Sequence, residues 1–568
     1  MSKFFLTNDE RLYVYISDLT EKSIFKKQFE YKKDGLFLLT TSKLDIQNNN
    51  AFSNGNDFAF ATGTIVYKEK NDRKILFENR SETIESIRKE SIGHYCIGLK
   101  TNNIVRIFGA SYAAYDIYYY HQNNTFVISN DLYTIARVLK EKISINKLNL
   151  VEEIAHTILC NETVFNEIRR LDGNEYIEIQ NNEFSIQPLD FIVDPVHKNT
   201  NNFATSMANT LQKKASIINK CFNSPSICMT AGLDARISLA TYLSVGAKPN
   251  LYYGIGNSFL TNTQDTDLQI DHKFEEAFDL SFTPLKWETP QKIDQDWDEV
   301  INDYGFYAYI YGGSKEIFSF FRKLKGPICT FGYGGELYRN LDWMENRKKK
   351  YFSIEEFLDE YYITGDVLEI VKRVPNFREH LLDKLKRICK KYGLDPHNIA
   401  NEDNFFFLQE YRKTADTHLL NFVNRSKYCN LLLMEPECLY FGRQSIDSLK
   451  HSKFMLSVIN NLYSEVLNYP VFSHQTLRKY NKELGILEEP QLSKKQIIKK
   501  RIQGFLPQFL AHKAQKVKAK LFKSKRAKPG ISKHSLIESN LNFNNLNDYR
   551  DYVKSAIWHN ILKHLNFL

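Results

Sequence analysis

The sequence predicts a mixed fold in which a β-rich N-terminal region precedes a parallel α/β sheet and a helical C-terminal region. Between residues 58 and 129, short segments of β-branched and aromatic residues are separated by Asn, Gly and Asp, which is typical of strands and turns. From 203 to 280, strand and helix patterns alternate, which favours a parallel sheet covered by helices. From about 350 onward the pattern is mostly helical.

Particular elements follow from these patterns. The predicted strands are 58–67, 94–100, 104–108, 117–120, 125–129 and 251–255, and the predicted helices are 203–220 and 271–280. The polar, turn-rich stretch 194–202 suits a linker. We therefore predict three domains, at 1–190, 200–490 and 491–568.

Length and composition narrow the class of protein. The 568 residues allow two or three domains with ample core, and 43% hydrophobic with 25% charged residues is typical of a soluble globular chain. We find no 18-residue apolar run and no secretory signal. The eight cysteines include no Cys-x-x-Cys pair, which argues against structural zinc and a disulfide framework. We expect a cytoplasmic protein.

The positive charge is concentrated in one segment. Residues 494–528 hold thirteen Lys/Arg and no Asp/Glu, so the rest of the chain carries a net charge of −4 although the whole carries +9. Such a segment is most often a solvated helix face. Contact with an anionic membrane is the next interpretation, and nucleic acid is a less favoured partner.

The stretch 226–240 carries the clearest chemical signal. A short apolar run meets a tight turn of small residues at 230–234, here called the first loop, and a helix pattern follows at once. This arrangement presents backbone N–H groups and a positive helix end to a phosphate. Asp234 adds a carboxylate of the kind that holds phosphate-bound Mg²⁺.

The first loop resembles the pyrophosphate-binding loop of the asparagine synthetase family and its PP-loop ATPase relatives, usually Ser-Gly-Gly-Leu/Ile-Asp-Ser. This chain reads Thr-Ala-Gly-Leu-Asp-Ala from Thr230 to Ala235. The resemblance implies ATP and Mg²⁺ as ligands, and the guanidinium of Arg236 is expected to grip a phosphate. The implied ATP-binding residues are Thr230, Ala231, Gly232, Leu233, Asp234, Ala235, Arg236, Tyr253, Gly254, Gly332 and Gly334.

Tyr253 and Gly254 lie in a segment that resembles the family's second strand, and Thr266-Asp267 resembles the Ser-Asp that opens its next helix. Asp271 stands where the family has a small residue.

A glycine-rich segment near residue 330, here called the second loop (332–336), resembles the family's Gly-Glu-Gly-(Gly/Ser)-Asp-Glu-Leu-Phe. Matching Gly332 places Glu336 at the Asp position, as a metal ligand beside Asp234, and Tyr333 at the Glu position. Matching Glu-Leu-Tyr instead makes Gly335 replace the Asp, and the metal ligand is lost. We prefer the first alignment.

Three further residues are implied to be catalytic. In β-lactam-forming relatives a Tyr at the place of Tyr333 belongs to the base machinery, although packing of its ring on the loop explains it equally well. After the helical region the family has a Lys followed by Leu-Arg. Here Arg478 matches the Arg, and His474 stands where the Lys is expected.

The order of segments from Gly93 to Leu139 resembles the glutaminase-like (Ntn-type) domain of the same family, an α+β sandwich. The family's N-terminal Cys nucleophile is absent, because position 2 is Ser. Its Arg-rich glutamine-holding segment is also absent, since 44–50 reads Leu-Asp-Ile-Gln-Asn-Asn-Asn. A Ser2 hydroxyl is a weaker nucleophile than a thiolate. We interpret this domain as inactive in glutamine hydrolysis.

These resemblances imply an ATP-dependent amide-forming ligase that adenylates a substrate carboxylate and transfers it to ammonia or an amine. Small-molecule, glycan and peptide carboxylates all remain open, as does the oligomeric state. Two alternatives stand beside this prediction. One is a catalytically degenerate relative that binds a nucleotide or a partner, and the other is a PP-loop enzyme acting on RNA.

Overall fold

Two antiparallel six-stranded sheets and one parallel sheet form the framework of the protein. The computed structural model describes residues 3–46, 50–113, 115–155, 157–189, 203–256, 264–287, 319, 321–338, 353–363, 366–399, 407, 410, 419–445, 452–469 and 562–563.

The antiparallel sheets lie in the N-terminal third of the chain, and all their strand pairs are antiparallel. The first sheet has the order β12-β10-β11-β1-β3-β2, with β1 Phe4–Thr7, β2 Lys27–Lys33, β3 Leu36–Thr41, β10 Tyr118–Gln122, β11 Thr125–Ser129 and β12 Ile168–Arg170. The second has the order β14-β13-β9-β8-β5-β4, with β4 Ala51–Asn54, β5 Asp57–Gly63, β8 Tyr95–Thr101, β9 Ile104–Gly109, β13 Glu175–Gln180 and β14 Glu183–Pro188. A small separate pair joins β6 Val66–Tyr67 to β7 Ser91–Ile92.

The two sheets face each other through an apolar core, and together they are called the N-terminal sandwich. Alternate residues of β1 and β5 point inward because side chains alternate across a strand. The rings of Phe4 and Phe60 lie 5.1 Å apart, and both residues are fully buried, as are Ile107 and Ile128.

The parallel sheet has the order β17-β16-β15-β18-β19, and every neighbouring pair in it is parallel. Its strands are β15 Ser226–Cys228, β16 Asn250–Gly256, β17 Ser281–Trp287, β18 Ile328–Thr330 and β19 Tyr428–Asn430. Strands β16 and β17, which follow β15 in the chain, lie on one side of it, and the later strands β18 and β19 lie on its other side. Strands β15 and β18 therefore flank the crevice in which open α/β sheets bind ligands, at the carboxyl ends of the strands.

Helices connect the strands and pack around the sheets. In the N-terminal part they are Glu10–Glu21, Arg73–Glu78, Ile84–Lys89, Leu132–Val138 and Lys147–Ala155. In the rest of the described chain they are Phe203–Phe222, Leu233–Leu243, Gln264–Phe278, Ile354–Phe357, Asp366–Val371, Phe377–Tyr392, Pro436–Gln444 and Lys453–Tyr463. Among the helices that the structure describes, none is both long and apolar enough to cross a membrane.

The predicted fold class is confirmed as a mixed one, with antiparallel sheets followed by a parallel sheet. The other predicted strands and the helix at 203–220 appear, but the strand predicted at 58–67 is divided into β5 and β6, which belong to different sheets. The helix predicted at 271–280 begins earlier, at Gln264. The predicted linker 194–202 and most of the predicted C-terminal domain 491–568 lie outside the described residues. The three domain boundaries stay predictions.

The sandwich and the parallel sheet share a buried polar interface. Lys43, which is 2% exposed, donates from Nζ to Asn424 Oδ1 at 3.2 Å and to the carbonyl of Lys427 at 3.2 Å. Thr64 Oγ1 donates to Asn424 Oδ1 at 3.0 Å and accepts the N–H of Cys429 at 2.7 Å. The start of β19 is thus held by side chains of the sandwich.

Candidate functional site

The first loop leaves the sheet at the carboxyl end of β15 and leads directly into the helix Leu233–Leu243. Gly232 is the N-cap of this helix, and the Thr230 hydroxyl accepts the Gly232 N–H at 3.3 Å. Thr230 is exposed, while Gly232 and Asp234 are half-buried. The first N–H groups of a helix lack partners within it, so this end of the helix suits an anion.

The second loop leaves the neighbouring strand β18 and packs directly on the first. A methyl group on Gly332 would lie 2.5 Å from the carbonyl carbon of Asp234 and 2.6 Å from the nitrogen of Ala235. A methyl group on Gly335 would lie 2.2 Å from Asp234 Cγ. Both positions therefore need glycine, and the two predicted loops meet around Asp234.

This packing bears on the two alignments of the second loop. The Cβ direction of residue 335 points at the Asp234 carboxylate, so Gly335 faces this carboxylate. Glu336 belongs to the 3₁₀ turn Gly335–Tyr338, and its side chain lies outside the described part of the structure. Glu336 as a second metal ligand stays a prediction.

The residues present fit one carboxylate ligand for a divalent cation. Asp234 lies in the first turn of its helix, beside the switch between β15 and β18. A phosphate-bound Mg²⁺ typically uses only one or two protein carboxylates. Within the described residues there is no group of three or more His, Cys, Asp or Glu that could hold a metal by itself.

The structure does not support the expectation that Arg236 grips a phosphate. Its side chain is fully buried, and its guanidinium donates to the carbonyls of Ala231 at 3.2 Å, Val466 at 3.2 Å and Tyr469 at 2.6 Å. The guanidinium also lies 5.1 Å from the centre of the Phe274 ring. Arg236 therefore stabilises the first loop from inside the protein, by donating hydrogen bonds to backbone carbonyls.

Ala231 also departs from the expected role, because its N–H is used inside the protein. The N–H donates to Asp267 Oδ1 at 3.0 Å, and the Tyr253 hydroxyl donates to Asp267 Oδ2 at 3.2 Å. Ala231 is buried and Tyr253 is 5% exposed. The sequence offered Asp267 only as a likeness to the family's Ser-Asp, and its contact with the first loop was not predicted.

A buried charge cluster lies behind the first loop. Asp271, one helical turn beyond Asp267, is fully buried, and neither of its carboxylate oxygens has a hydrogen-bond partner within the described residues. Burial raises the pKa of Asp271 well above its usual range, and Asp267 adds to this rise. Burial lowers the pKa of Arg236 to about 9, although Asp271 and Asp267 oppose this. Arg236 therefore remains a cation at neutral pH, with carboxyl groups nearby.

Some of the remaining predicted residues lie within the described part of the chain, and others lie outside it. Gly254 lies in β16, beside the first loop's strand, and Leu233 and Ala235 are buried in the first turn of the helix. Gly334 is buried with φ 86°, and the half-buried Tyr333 ring lies 5.8 Å from that of Phe331. Ser2, His474, Arg478 and the basic segment 494–528 lie outside the described residues.

Comparison with known proteins gives little further guidance. No family model matches the chain, and no curated protein matches it. Among solved structures, glutamine phosphoribosylpyrophosphate amidotransferase from B. subtilis, complexed with ADP and GMP, matches with a TM-score of 0.26 and 6% identity over 50% of this chain and 90% of that one. The "allosteric regulatory enzyme of purine biosynthesis" matches with a TM-score of 0.23 and 9% identity over 47% of this chain and 69% of that one. At these scores neither likeness carries an argument.

Proposed function

We propose that the protein is an ATP-dependent amide-forming ligase, similar to asparagine synthase but without its own glutaminase. One observation supports this most: the glycines of the second loop pack on Asp234 at the start of a helix, where the order of the parallel sheet switches between β15 and β18. Such a crevice, with a helix N-terminus and a carboxylate, suits a nucleotide triphosphate and its metal.

In the proposed reaction a substrate carboxylate attacks the α-phosphate of ATP, pyrophosphate leaves, and an acyl-adenylate remains. Ammonia or an amine then attacks the acyl carbon and releases AMP. The N–H groups at the start of the helix Leu233–Leu243 stabilise charge that moves onto pyrophosphate. Asp234 would hold Mg²⁺, which supplies positive charge to the phosphates when it is bound.

The nitrogen source and the acceptor are the least constrained parts of this proposal. Because position 2 is Ser rather than Cys, the proposed enzyme takes free ammonia, a donor supplied by a partner, or an amine of the substrate itself. The acceptor class is a small-molecule, glycan or peptide carboxylate.

ATP–pyrophosphate exchange with a panel of carboxylates tests the proposal. We expect at least one acid to support exchange, and Asp234→Asn to reduce it about 100-fold or more because the metal loses its carboxylate. The melting temperature should stay close to that of the wild type, since Asp234 is half-buried and Asn has nearly the same shape as Asp. The proposal fails if no carboxylate supports exchange and Asp234→Asn leaves Mg²⁺-dependent ATP binding unchanged.

A catalytically degenerate nucleotide-binding protein is the second candidate, and two observations favour it. Gly335, which carries no carboxylate, lies directly against the Asp234 side chain, and the Ala231 N–H is already bonded to Asp267. Calorimetry separates the two candidates. Mg²⁺-dependent ATP binding without exchange on any carboxylate would favour the degenerate protein.

A further inference from the structure

One short segment touches both the N-terminal sandwich and the second loop. Residues 431–437, here called the bridging segment, follow β19 directly and include the 3₁₀ turn Leu432–Met434 and the start of the helix Pro436–Gln444. From Leu431 to Met434 its side chains are fully buried, and Glu435 is 1% exposed.

On the sandwich side, the contacts come from the turn that precedes β8. The N–H of Gly93 donates to Glu435 Oε1 at 3.0 Å. The ring of His94 lies with Nε2 3.0 Å from the carbonyl of Leu431, and Nε2 must be the donor because a carbonyl only accepts. His94 is 1% exposed, so these bonds are shielded from water.

On the other side, the bridging segment supports the second loop. The Tyr338 hydroxyl donates to the carbonyl of Leu433. A methyl group on Gly334 would lie 2.6 Å from Met434 Sδ, so the Met434 side chain fills the space above this glycine. The position of the second loop therefore depends on where residues 433 and 434 are held.

Glu435 lies at the centre of this arrangement, and both its oxygens are engaged. Oε1 accepts from Gly93, while Oε2 lies 2.7 Å from Lys214 Nζ of the helix Phe203–Phe222. Lys214 also lies 2.8 Å from Glu437, and it is 5% exposed. Burial alone would lower the pKa of Lys214, but the two carboxylates outweigh burial and raise it. The lysine is therefore charged and needs both partners.

We propose that Glu435 is a positioning residue through which the N-terminal sandwich holds the second loop in place beside Asp234. A sandwich that lacks the glutaminase Cys would then still serve the nucleotide site, as a support rather than as a source of ammonia. The effect of Glu435 on catalysis rests on the proposed ligase function. Its effect on the position of the second loop does not.

Hydrogen exchange measured by mass spectrometry on the full chain tests the mechanical link. In Glu435→Gln, Lys214 loses one of its two counter-charges in a buried place, so the bridging segment loosens. We expect amides in 332–338 to exchange about 10-fold faster than in the wild type, while β9 is unchanged. Glu437→Gln removes the more exposed partner of Lys214, and we expect a smaller effect in the same direction.

Asp57→Asn is the matched control. It makes the same carboxylate-to-amide change in the sandwich, where Asp57 Oδ2 accepts from Arg80 at 2.8 and 3.1 Å, away from the bridging segment. We expect no change in the exchange of 332–338. The proposal is overturned if Glu435→Gln leaves 332–338 at the wild-type rate, or if Asp57→Asn accelerates this region equally.

Kinetics then test the link to the site. If the wild type catalyses ATP–pyrophosphate exchange, Glu435→Gln should raise the KM for ATP several-fold more than it lowers kcat, because it displaces a binding loop without removing a reacting group. Absence of exchange in the wild type would count against the ligase function alone, since the hydrogen-exchange comparison still decides the role of Glu435.

Discussion

Gly335 lies directly against the carboxylate of Asp234, at a distance that leaves no room for even one methyl group between them. The nearest side-chain atom of Asp234, Cγ, would be 2.2 Å from a Cβ at position 335. Asp234 therefore occupies the space that a side chain on the second loop would otherwise take. The position of the Asp234 carboxylate, the proposed metal ligand, therefore depends on a glycine that lies 101 residues further along the chain.

Two alanine substitutions in the second loop should act differently. Gly335→Ala meets the Asp234 side chain, whose Cγ can rotate away but whose Cβ, at 2.7 Å, cannot, so we expect Mg²⁺-dependent ATP affinity to fall about 10-fold and stability to fall less than in Gly332→Ala. Gly332→Ala meets the backbone of 234–235, which cannot rotate away, and we expect a loss of about 1–3 kcal/mol of unfolding free energy. Calorimetric ATP titration and urea unfolding measure the two effects. Equal stability losses would contradict the described packing.

Asp267 should stabilise the first loop through its hydrogen bond from Ala231. Asp267→Ala leaves the buried N–H of Ala231 without its acceptor, and we expect a loss of about 1–3 kcal/mol in unfolding free energy. Asp267→Asn keeps an oxygen at that place and should lose less than half as much. If the two variants are equally stable in urea, the bond does not contribute as described.

Arg236 and Asp271 should be energetically coupled. Arg236→Leu leaves three carbonyls without their donor and removes the cation near Asp271, so we expect a loss of about 3–5 kcal/mol. The double variant Arg236→Leu/Asp271→Leu should lose less than the sum of the single losses by about 1 kcal/mol or more. Unfolding free energies of the wild type, the two single variants and the double variant give the coupling energy. If the two single losses simply add up in the double variant, the residues are not coupled.

The stability of the chain should depend on pH through Glu162. This side chain lies 2.7 Å from Arg387 and 3.2 Å from Lys384. Burial acts to raise its pKa, but Lys384 and Arg387 lower it more, to about 2. Because the folded-state pKa is below the ordinary value, Glu162 stabilises the protein above about pH 4.5 and less as the pH falls toward 2.

Glu162→Gln measures this contribution. The difference in unfolding free energy between the variant and the wild type should be largest near neutral pH and shrink below about pH 4.5. Urea unfolding at several pH values provides the comparison, and Glu183→Gln, on the exposed first residue of β14, is a suitable control. A difference that stays constant down to pH 3 would contradict the prediction.

That the two loops lie next to each other could be predicted from the sequence, because this depends on local patterns. Apolar runs before Thr230 and Gly332 predict strands, and the carboxyl ends of adjacent parallel strands lie at one edge of a sheet. The strands of the sandwich were predictable for the same reason, since Phe58 and Phe60 alternate with smaller residues on the opposite face.

The orientation of single side chains was not predictable in this way. Arg236 was expected to face a phosphate, but the helix Leu233–Leu243 is buried on nearly all sides, so its arginine points inward to carbonyls. Those carbonyls belong partly to residues 466–469, more than 200 positions away. The contact of Asp267 with Ala231 also depends on how a helix packs, which no local pattern specifies.

The polar contacts between the sandwich and the parallel sheet affect how the chain unfolds. Lys43 and Glu435 are almost completely buried, and each has partners on the other side of the interface. If the two parts separated while each stayed folded, Lys43 and Glu435 would lose these hydrogen-bond partners. Water could replace the lost partners only after the interface had opened fully. The interface therefore favours a single cooperative transition, and a fragment cut between the two parts would expose polar groups that pair with the other half in the intact chain.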